Sequence, residues 1–476
     1  MERSCEYDAA VVGSGPNGLA AAITLAERGL KVVILESAEA AGGGARTAEL
    51  TLPGFHHDVG SAIHPMAAVS TFFSSLPLSR FGLEWIKPPV QMAHPFDDGS
   101  AALLKTSVKE SSLTLASDTE AYIKLIQPLV GRFDGLKKYL LGTMRLPENP
   151  LLLASFGLKA LRSAENLSMS SFKGALARGF FAGLAAHSIL PLNKIPSAAF
   201  GLVLCITGHA AGWPIPAGGA GSISSALSGY FASLGGTLVT GHKVDSFTDL
   251  PDARAMFFDT APGQLLRIYD HRLPAGYKKS LQNFRYGPGV FKIDWALSGP
   301  IPWKAEDCHS AGTVHVGGTF AEIAEAELSA WQGKIHPRPF VILAQPSLFD
   351  SSRAPAGHHT SWAYCHVPNG CTEDMTASIE LQIERFAPGF KDLILQRQTS
   401  TPAELEAENP NLVGGDIVGG AQTLKQIFCR PTCRLVPYTT PLPDVYLCSA
   451  STPPGAGVHG MCGFHAASAY LKRLRI

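Results

Sequence analysis

The hexapeptide Gly13-Ser14-Gly15-Pro16-Asn17-Gly18 lies between the apolar run Ala9-Ala10-Val11-Val12 and an alanine-rich stretch from Leu19 to Arg28. A chain that passes this abruptly from strand to helix has few ways to continue. In a G-x-G-x-x-G turn the first glycine permits the tight bend and the second lets backbone N–H groups approach a pyrophosphate. The third allows close packing of helix on sheet. The helix start adds partial positive charge. Arg28 suits the C-terminal dipole, and Gly29 suits the left-handed cap that stops the helix. Lys31 to Leu35 then reads as a second strand. Both strands are nearly continuous apolar runs, as a parallel sheet covered on both faces requires. Glu36, eighteen residues beyond Gly18, closes the second strand, where a carboxylate can accept hydrogen bonds from both ribose hydroxyls and repels a 2′-phosphate. The unit predicts a dinucleotide site in a doubly wound α/β domain. It does not separate NAD from FAD, because both carry adenosine diphosphate.

The chain has 476 residues, enough for about three domains or two large interleaved ones. Lys+Arg 39 balance Asp+Glu 39, and only 16% of residues are charged, so electrostatic binding of nucleic acid is excluded as a main function. The longest uninterrupted apolar run, Ala198 to Ile206, is far shorter than the roughly 18 residues of a membrane span. Glu2, Arg3, Glu6 and Asp8 leave no apolar centre for a secretory signal, so a cytoplasmic location is expected. Nine cysteines without a C-x-x-C read as buried free thiols, and Cys429 and Cys433 as packing residues.

Further along, Asp97-Asp98-Gly99-Ser100 separates two strands of a hairpin, and residues 119 to 190 show helical spacing that predicts a helical insert. From Ile195 to His242 no residue is charged. Such a stretch is either core or the lining of an apolar cavity, with Phe180, Phe181, Phe200 and Trp213 as candidate walls. Strands at Thr237–Val239 and Ala255–Phe258 return the chain to the first sheet. Residues 286 to 385 alternate strands (289–297, 313–316, 341–344, 360–366) with helices, which predicts an antiparallel sheet backed by helices. Val445 to Ser449 is a last strand before a glycine-rich turn and a C-terminal helix.

Two segments bear on the cofactor. Ala41-Gly42-Gly43-Gly44-Ala45-Arg46-Thr47 resembles the G-G-x-x-R-T segment of the FAD-dependent amine oxidase and phytoene desaturase superfamily, which implies that it lies along the phosphates and ribityl chain. Tyr446 to Gly463, through Pro453-Pro454-Gly455-Ala456-Gly457-Val458-His459-Gly460-Met461, is similar to that superfamily's closing flavin motif. A helix start there suits the negative charge of a reduced flavin. Leu52-Pro53-Gly54-Phe55-His56-His57-Asp58-Val59-Gly60-Ser61, Pro216 to Ile223 and Asp259-Thr260-Ala261-Pro262 extend the likeness over nearly the whole chain. They resemble the phytoene-dehydrogenase-related branch that includes the pyridine nucleotide-disulfide oxidoreductase domain-containing protein 2 group. The resemblance implies that Val244 contacts the adenine. No second G-x-G-x-x-G follows a strand, no C-x-x-x-x-C redox pair lies near the N-terminus, and the covalent-flavin cysteine motif is absent.

These readings predict an α/β flavoprotein with a doubly wound Rossmann-like FAD domain (1–92, 217–285 and 400–476) and a second mixed-sheet and helical substrate domain (93–216 and 286–399). FAD is expected on Gly13, Gly15, Pro16, Asn17, Gly18, Glu36, Gly42, Gly43, Arg46, Thr47, Val244, Gly457, Val458, His459 and Met461. His459, in the closing turn, is the first candidate for a proton shuttle, followed by His64 and His366. No metal site is expected. The function implied is oxidation, desaturation or saturation of a small-molecule apolar, isoprenoid-like substrate. An amine oxidase, a flavin-dependent isomerase and a flavin-bound interaction protein are the alternatives, and peripheral contact with a membrane surface is a secondary expectation.

Overall fold

The computed structural model describes residues 5–143 and 148–476. The apolar runs on either side of the glycine turn form neighbouring parallel strands, Tyr7–Val12 and Val32–Leu35, with Ala9 opposite Val32 and Val12 opposite Leu35. They are the centre of a five-stranded parallel sheet in the order Val445–Leu447, Ala253–Phe258, Tyr7–Val12, Val32–Leu35, Thr237–Val239. Three distant parts of the chain therefore share one sheet. Both faces are covered, which is why its central strands carry no alternation of polar and apolar residues.

The helix Pro16–Ala26 starts as the glycine turn dictates, and Gly29 takes the left-handed conformation expected of it (φ 77°). It packs against the helices Gly221–Ser233 and Met461–Leu474. The approach is close. A Cβ on Gly18 would lie 2.1 Å from the Gly13 carbonyl oxygen, and one on Gly463 would lie 1.8 Å from that of Asn17.

The second sheet has seven strands in the order Ile394–Ser400, Gly289–Leu297, His359–Val367, Val341–Ala344, Ala311–Val316, Val90–Pro95, Ala101–Leu104. All neighbours are antiparallel except Ala311–Val316 with Val90–Pro95. The hairpin around Asp97–Ser100 is present as Val90–Pro95 and Ala101–Leu104. The predicted helical insert holds helices at Thr119–Val130, Phe133–Leu140, Pro150–Ala160, Ala164–Ser171 and Ala175–Ala186. Among the described residues no helix is long and apolar enough to cross a membrane.

Of the two readings of the uncharged stretch, core and cavity lining, its helix Ser197–Ala210 follows the first: most of it is buried against the insert, and Phe180 and Phe181 are core residues rather than cavity walls. One feature differs from the sequence reading. Cys429 and Cys433 form a disulfide, because the chain turns so tightly after the helix Leu424–Phe428 that their Cα atoms are 4.3 Å apart. Cys205, Cys308, Cys365, Cys371, Cys448 and Cys462 are free thiols.

Burial leaves an unusual set of histidines uncharged. His57 is pushed down to about 3, and His64, His94, His209 and His459 to about 4, in each case first by desolvation. Two buried acids act in the opposite sense, Asp259 pushed up to about 7 and Asp294 to about 6. A histidine whose folded pKa lies below its unfolded value of about 6.5 makes the unfolded chain bind more protons, so stability falls as pH drops from about 6.5 toward 4. The histidines outnumber the acids. The thermal midpoint should therefore decline steeply between pH 6.5 and 4.5, with net proton uptake on unfolding measurable by calorimetry in buffers of different ionisation heat.

Candidate functional site

The C-terminal ends of the parallel strands open on a cavity of about 270 Å³. Gly13, Gly15, Pro16 and Asn17 line it on one side, with Glu36 at the end of its strand and Gly43, Gly44 and Arg46 beyond. His242, Lys243 and Val244 close its far end. The Glu36 carboxylate is fixed by the turn it faces: Oε2 accepts from Ser14 N–H (2.8 Å) and Ser14 Oγ (2.6 Å), and Oε1 from Ala38 N–H (2.9 Å). The sequence assigned Glu36 to a ribose. It also ties the glycine turn to the second strand.

Asp259 is a site residue not selected from sequence, although the Asp259-Thr260-Ala261-Pro262 motif was noted. It ends the strand Ala253–Phe258, and its Oδ2 accepts the Gly18 N–H at 2.8 Å. A carboxyl thus sits at the start of the helix Pro16–Ala26, beside the place the fingerprint reserves for a pyrophosphate. Burial first, and the charge of Glu36 with it, push its pKa up to about 7.

A second cavity of about 390 Å³ continues from the first, sharing Pro16, Asn17, Gly43, Gly44, Arg46 and Glu408 as walls. Gly457, Val458 and Ala456 of the closing turn line it together with Val59 to Ile63. Its floor is one face of the seven-stranded sheet. Strand register places Thr313, Ala344 and Trp362 in one row across neighbouring strands, and His315, Ile342, Tyr364 and Lys292 in the next. Leu204, Trp213, Ile189 and His187 from the helical side complete the wall. Of the four aromatic walls expected from sequence, only Trp213 lines this cavity; Phe200 lies on the helix Ser197–Ala210 away from it.

Lys292 was not selected from sequence either. It is buried, donates to Asp294, and stands 5.6 Å from the centre of the Trp362 ring. Asp294 in turn lies 3.6 Å from His57 Nδ1. Its carboxyl is pushed up to about 6 by burial, against the pull of the Lys292 ammonium. A lone lysine inside an apolar strand pattern gives no signal of function until the sheet face it occupies is known.

The other expected residues divide. Gly18 packs on Gly13, and Gly42 has the left-handed φ of 124° with a Cβ position 2.5 Å from Ser224 Oγ, so both shape the turns and do not line the cavities. Thr47 Oγ1 accepts from Gly221 N–H (2.9 Å) and donates to Asp58 (3.2 Å), which turns it away from the cavities. Arg46 lines both cavities and pairs with Glu408 at 2.7 Å. His459 is enclosed in its turn: Nδ1 accepts the Met461 N–H (3.0 Å) and Nε2 lies 3.2 Å from the Gly455 carbonyl oxygen. His64 is held at Nε2 by Ser61 Oγ (3.0 Å), and His366 at Nδ1 by the Glu327 carboxylate (2.8 Å). None of the three histidines, nor Met461, is among the residues lining the two cavities. Among the described residues no cluster of three or more histidine, cysteine or acidic side chains is placed to hold a metal ion.

The joined cavities fit a dinucleotide with an aromatic head. The glycine bed is bare where the phosphates of such a group would pass, and Asn17 Oδ1 is buried there without a partner. Residues 11–76 match the model of an NAD(P)-binding Rossmann-like domain. The rat pyridine nucleotide-disulfide oxidoreductase domain-containing protein 2 is 24% identical, over 99% of this chain and 94% of that protein. The lycopene-forming phytoene desaturase of Pantoea ananas is 26% identical, over 97% of this chain and 98% of its own. A crystal structure of an oxidoreductase from Methanosarcina mazei superposes with a TM-score of 0.67 at 14% identity, covering 98% of this chain and 99% of the other. The chain is a homologue of the first two proteins and shares the fold of the third.

In this homologue the buried Asp259 carboxyl should have a measurable cost. Its folded pKa lies above the unfolded value of about 3.9, so the native state loses stability as pH rises from about 4 to about 7 and stays lowered above that. Asp259→Asn keeps an oxygen for the Gly18 N–H. At pH 8 it should stabilise the cofactor-free protein by about 1–3 kcal/mol in urea unfolding, with the gain shrinking toward pH 5.

Proposed function

We propose that the chain is an FAD-dependent oxidoreductase acting on a small, largely apolar molecule. The single observation that carries this reading is the continuous trough from Glu36, past the glycine bed, to the apolar floor of the seven-stranded sheet. Gly13, Gly15, Pro16, Asn17, Gly43 and Arg46 would hold the phosphates and ribityl chain, Glu36 and Val244 the adenosine, and Gly457 and Val458 the flavin head. In this reading the five-stranded sheet would belong to the FAD domain and the seven-stranded sheet to the substrate domain. When bound, FAD supplies a two-electron partner for hydride exchange with a substrate.

The chain's own residues do the rest. Ile342, Ala344, Val290, Leu204 and Trp213 keep water from the reacting end of the trough. The volume there is at the low end of the roughly 300–1,000 Å³ of drug-sized pockets, and the flavin head takes part of it. A small substrate fits, or one end of a longer isoprenoid. Lys292 in the floor is charge-paired with Asp294, so it does not by itself decide for or against an amine, and the amine oxidase alternative is separated by the reduction test below. Of the three histidines selected from sequence, His366 at Nε2 and His64 at Nδ1 each keep a buried ring nitrogen without a partner, but neither they nor His459 line the trough, so all three support its walls and none is assigned a proton-transfer role. A cytoplasmic location belongs to the same reading, and the exposed Leu151, Leu158 and Leu161 support peripheral membrane contact.

The purified protein should be yellow, and acid precipitation should leave FAD in the supernatant, since no attachment cysteine stands in the family position. Colour retained by the pellet would contradict non-covalent binding. Glu36→Ala should raise the FAD dissociation constant about 10- to 150-fold, the equivalent of one charge-assisted hydrogen bond, read by fluorescence titration. Anaerobic bleaching of the flavin by an apolar alkene donor and not by alkylamines is the expected reduction pattern; bleaching by amines alone would overturn it.

A further inference from the structure

At the end of the trough far from Glu36, the cavity wall contains polar atoms that the protein itself does not satisfy. Trp362 Nε1 and Thr313 Oγ1 are buried and have no hydrogen-bond partner, and both residues line the cavity. They are not scattered. Thr313 pairs with Ala344, and Ala344 with Trp362, across three neighbouring strands, so the two polar groups flank the smallest side chain of that row. On the facing wall stands His187, at the end of the helix Ala175–Ala186. Its Nε2 lies 3.0 Å from Nε2 of the fully buried His315, which fixes the ring, and among the described residues its Nδ1 has no hydrogen-bond partner. Around these atoms the lining is apolar: Leu204, Ile342 and Val290.

The chemistry of the three groups selects what can sit between them. A tryptophan N–H only donates, a threonine hydroxyl donates or accepts, and a neutral imidazole nitrogen does one or the other according to its tautomer. His187 is held neutral, its pKa pushed down to about 3 by burial and then by His366. Trp362 therefore demands an acceptor. A hydrocarbon leaves it unpaired, and a protonated amine has no lone pair to offer. Buried polar groups in native proteins find partners, and a site built to bond an oxygen rejects the analogue lacking it far more strongly than an apolar pocket rejects an extra methylene.

We propose that Trp362, Thr313 and His187 form a seat for a carbonyl or hydroxyl oxygen, so that the substrate is an apolar molecule carrying an oxygenated head. This rests on the oxidoreductase reading above and narrows its substrate class. The seat holds the head at the sheet face, with the apolar remainder along Ile342 and Leu204. Tyr364, stacked on Trp362 with ring centres 5.6 Å apart, fixes the orientation of the indole.

The test uses the full-length FAD-loaded protein and three probes of equal chain length, 2-octanone, n-octane and n-octylamine, with bound probe measured by equilibrium partition. The ketone should bind at least about 10-fold more tightly than either other probe. Trp362→Phe keeps the ring and removes the N–H; Thr313→Val keeps the shape and removes the hydroxyl. Each should weaken 2-octanone about 5- to 30-fold while leaving n-octane binding, FAD content and the flavin absorbance spectrum unchanged. Equal binding of ketone and alkane, or preference for the amine, would overturn the seat. So would variants that alter FAD content or spectrum and not the ketone, since the orphaned atoms would then serve the cofactor. If Trp362→Phe does not fold, Thr313→Val and the probe ranking decide alone. A protein that takes up no FAD would defeat the oxidoreductase reading, and the same partition on that protein would still decide the seat.

Discussion

The fold depends on an approach between backbones that no side chain permits. Gly18 lies against the Gly13 carbonyl, and Gly463 against that of Asn17, at distances where any Cβ would collide. The first contact seats the helix Pro16–Ala26 on the sheet. The second presses the C-terminal helix onto it, so the beginning and end of the chain become one unit. The cavity lined by the glycine turn and the closing turn come together because of this contact. With a bulkier residue at either position the trough would come apart into two unrelated clefts.

A second device ties together segments that belong to neither large sheet. Asp58, fully buried, accepts from Ala220 N–H at 2.7 Å and pairs with Arg353 at 2.7 Å, while Arg353 also donates to the His56 carbonyl oxygen at 3.1 Å. Thr47 joins the same carboxylate. Segments near residues 47, 58, 220 and 353 are thereby drawn to one point. Breaking such a buried pair by removing one partner leaves an uncompensated charge, so Arg353 and Asp58 must be present together. Beside them Lys292, paired with Asp294, brings a charged group to the cavity floor.

The reading of the sequence was most reliable where a local pattern carries its own geometry. The strand–turn–helix–strand unit from Tyr7 to Leu35, the hairpin about Asp97–Ser100, the helical insert and the strand Gly289–Leu297 are legible because alternation, helical spacing and glycine position report neighbours close in sequence. The uncharged stretch after Lys194 was harder. Apolar residues without ionised neighbours suit a buried helix and a cavity wall alike, and Ser197–Ala210 turned out to be the helix, with Leu204 alone of its residues lining the cavity. The Cys429–Cys433 bond was missed for a related reason, since spacing says nothing of how tightly a turn closes.

By itself the sequence determined the glycine-turn half of the proposed site, because a turn of this kind is made by consecutive residues and shaped by their backbone. Glycine spacing, Glu36 and the helix start are all local. The substrate half was decided only by the tertiary structure. Lys292, Thr313, Ile342, Tyr364 and Trp362 come from four strands, and only strand register puts them on one face. The histidines show the same division. His459 stands in the right motif, yet its own turn consumes both ring nitrogens, whereas His187, in no motif, reaches the cavity because a helix ends there. Side-chain direction and the pairing of distant strands are set by packing across the whole chain, and no window of consecutive residues contains them.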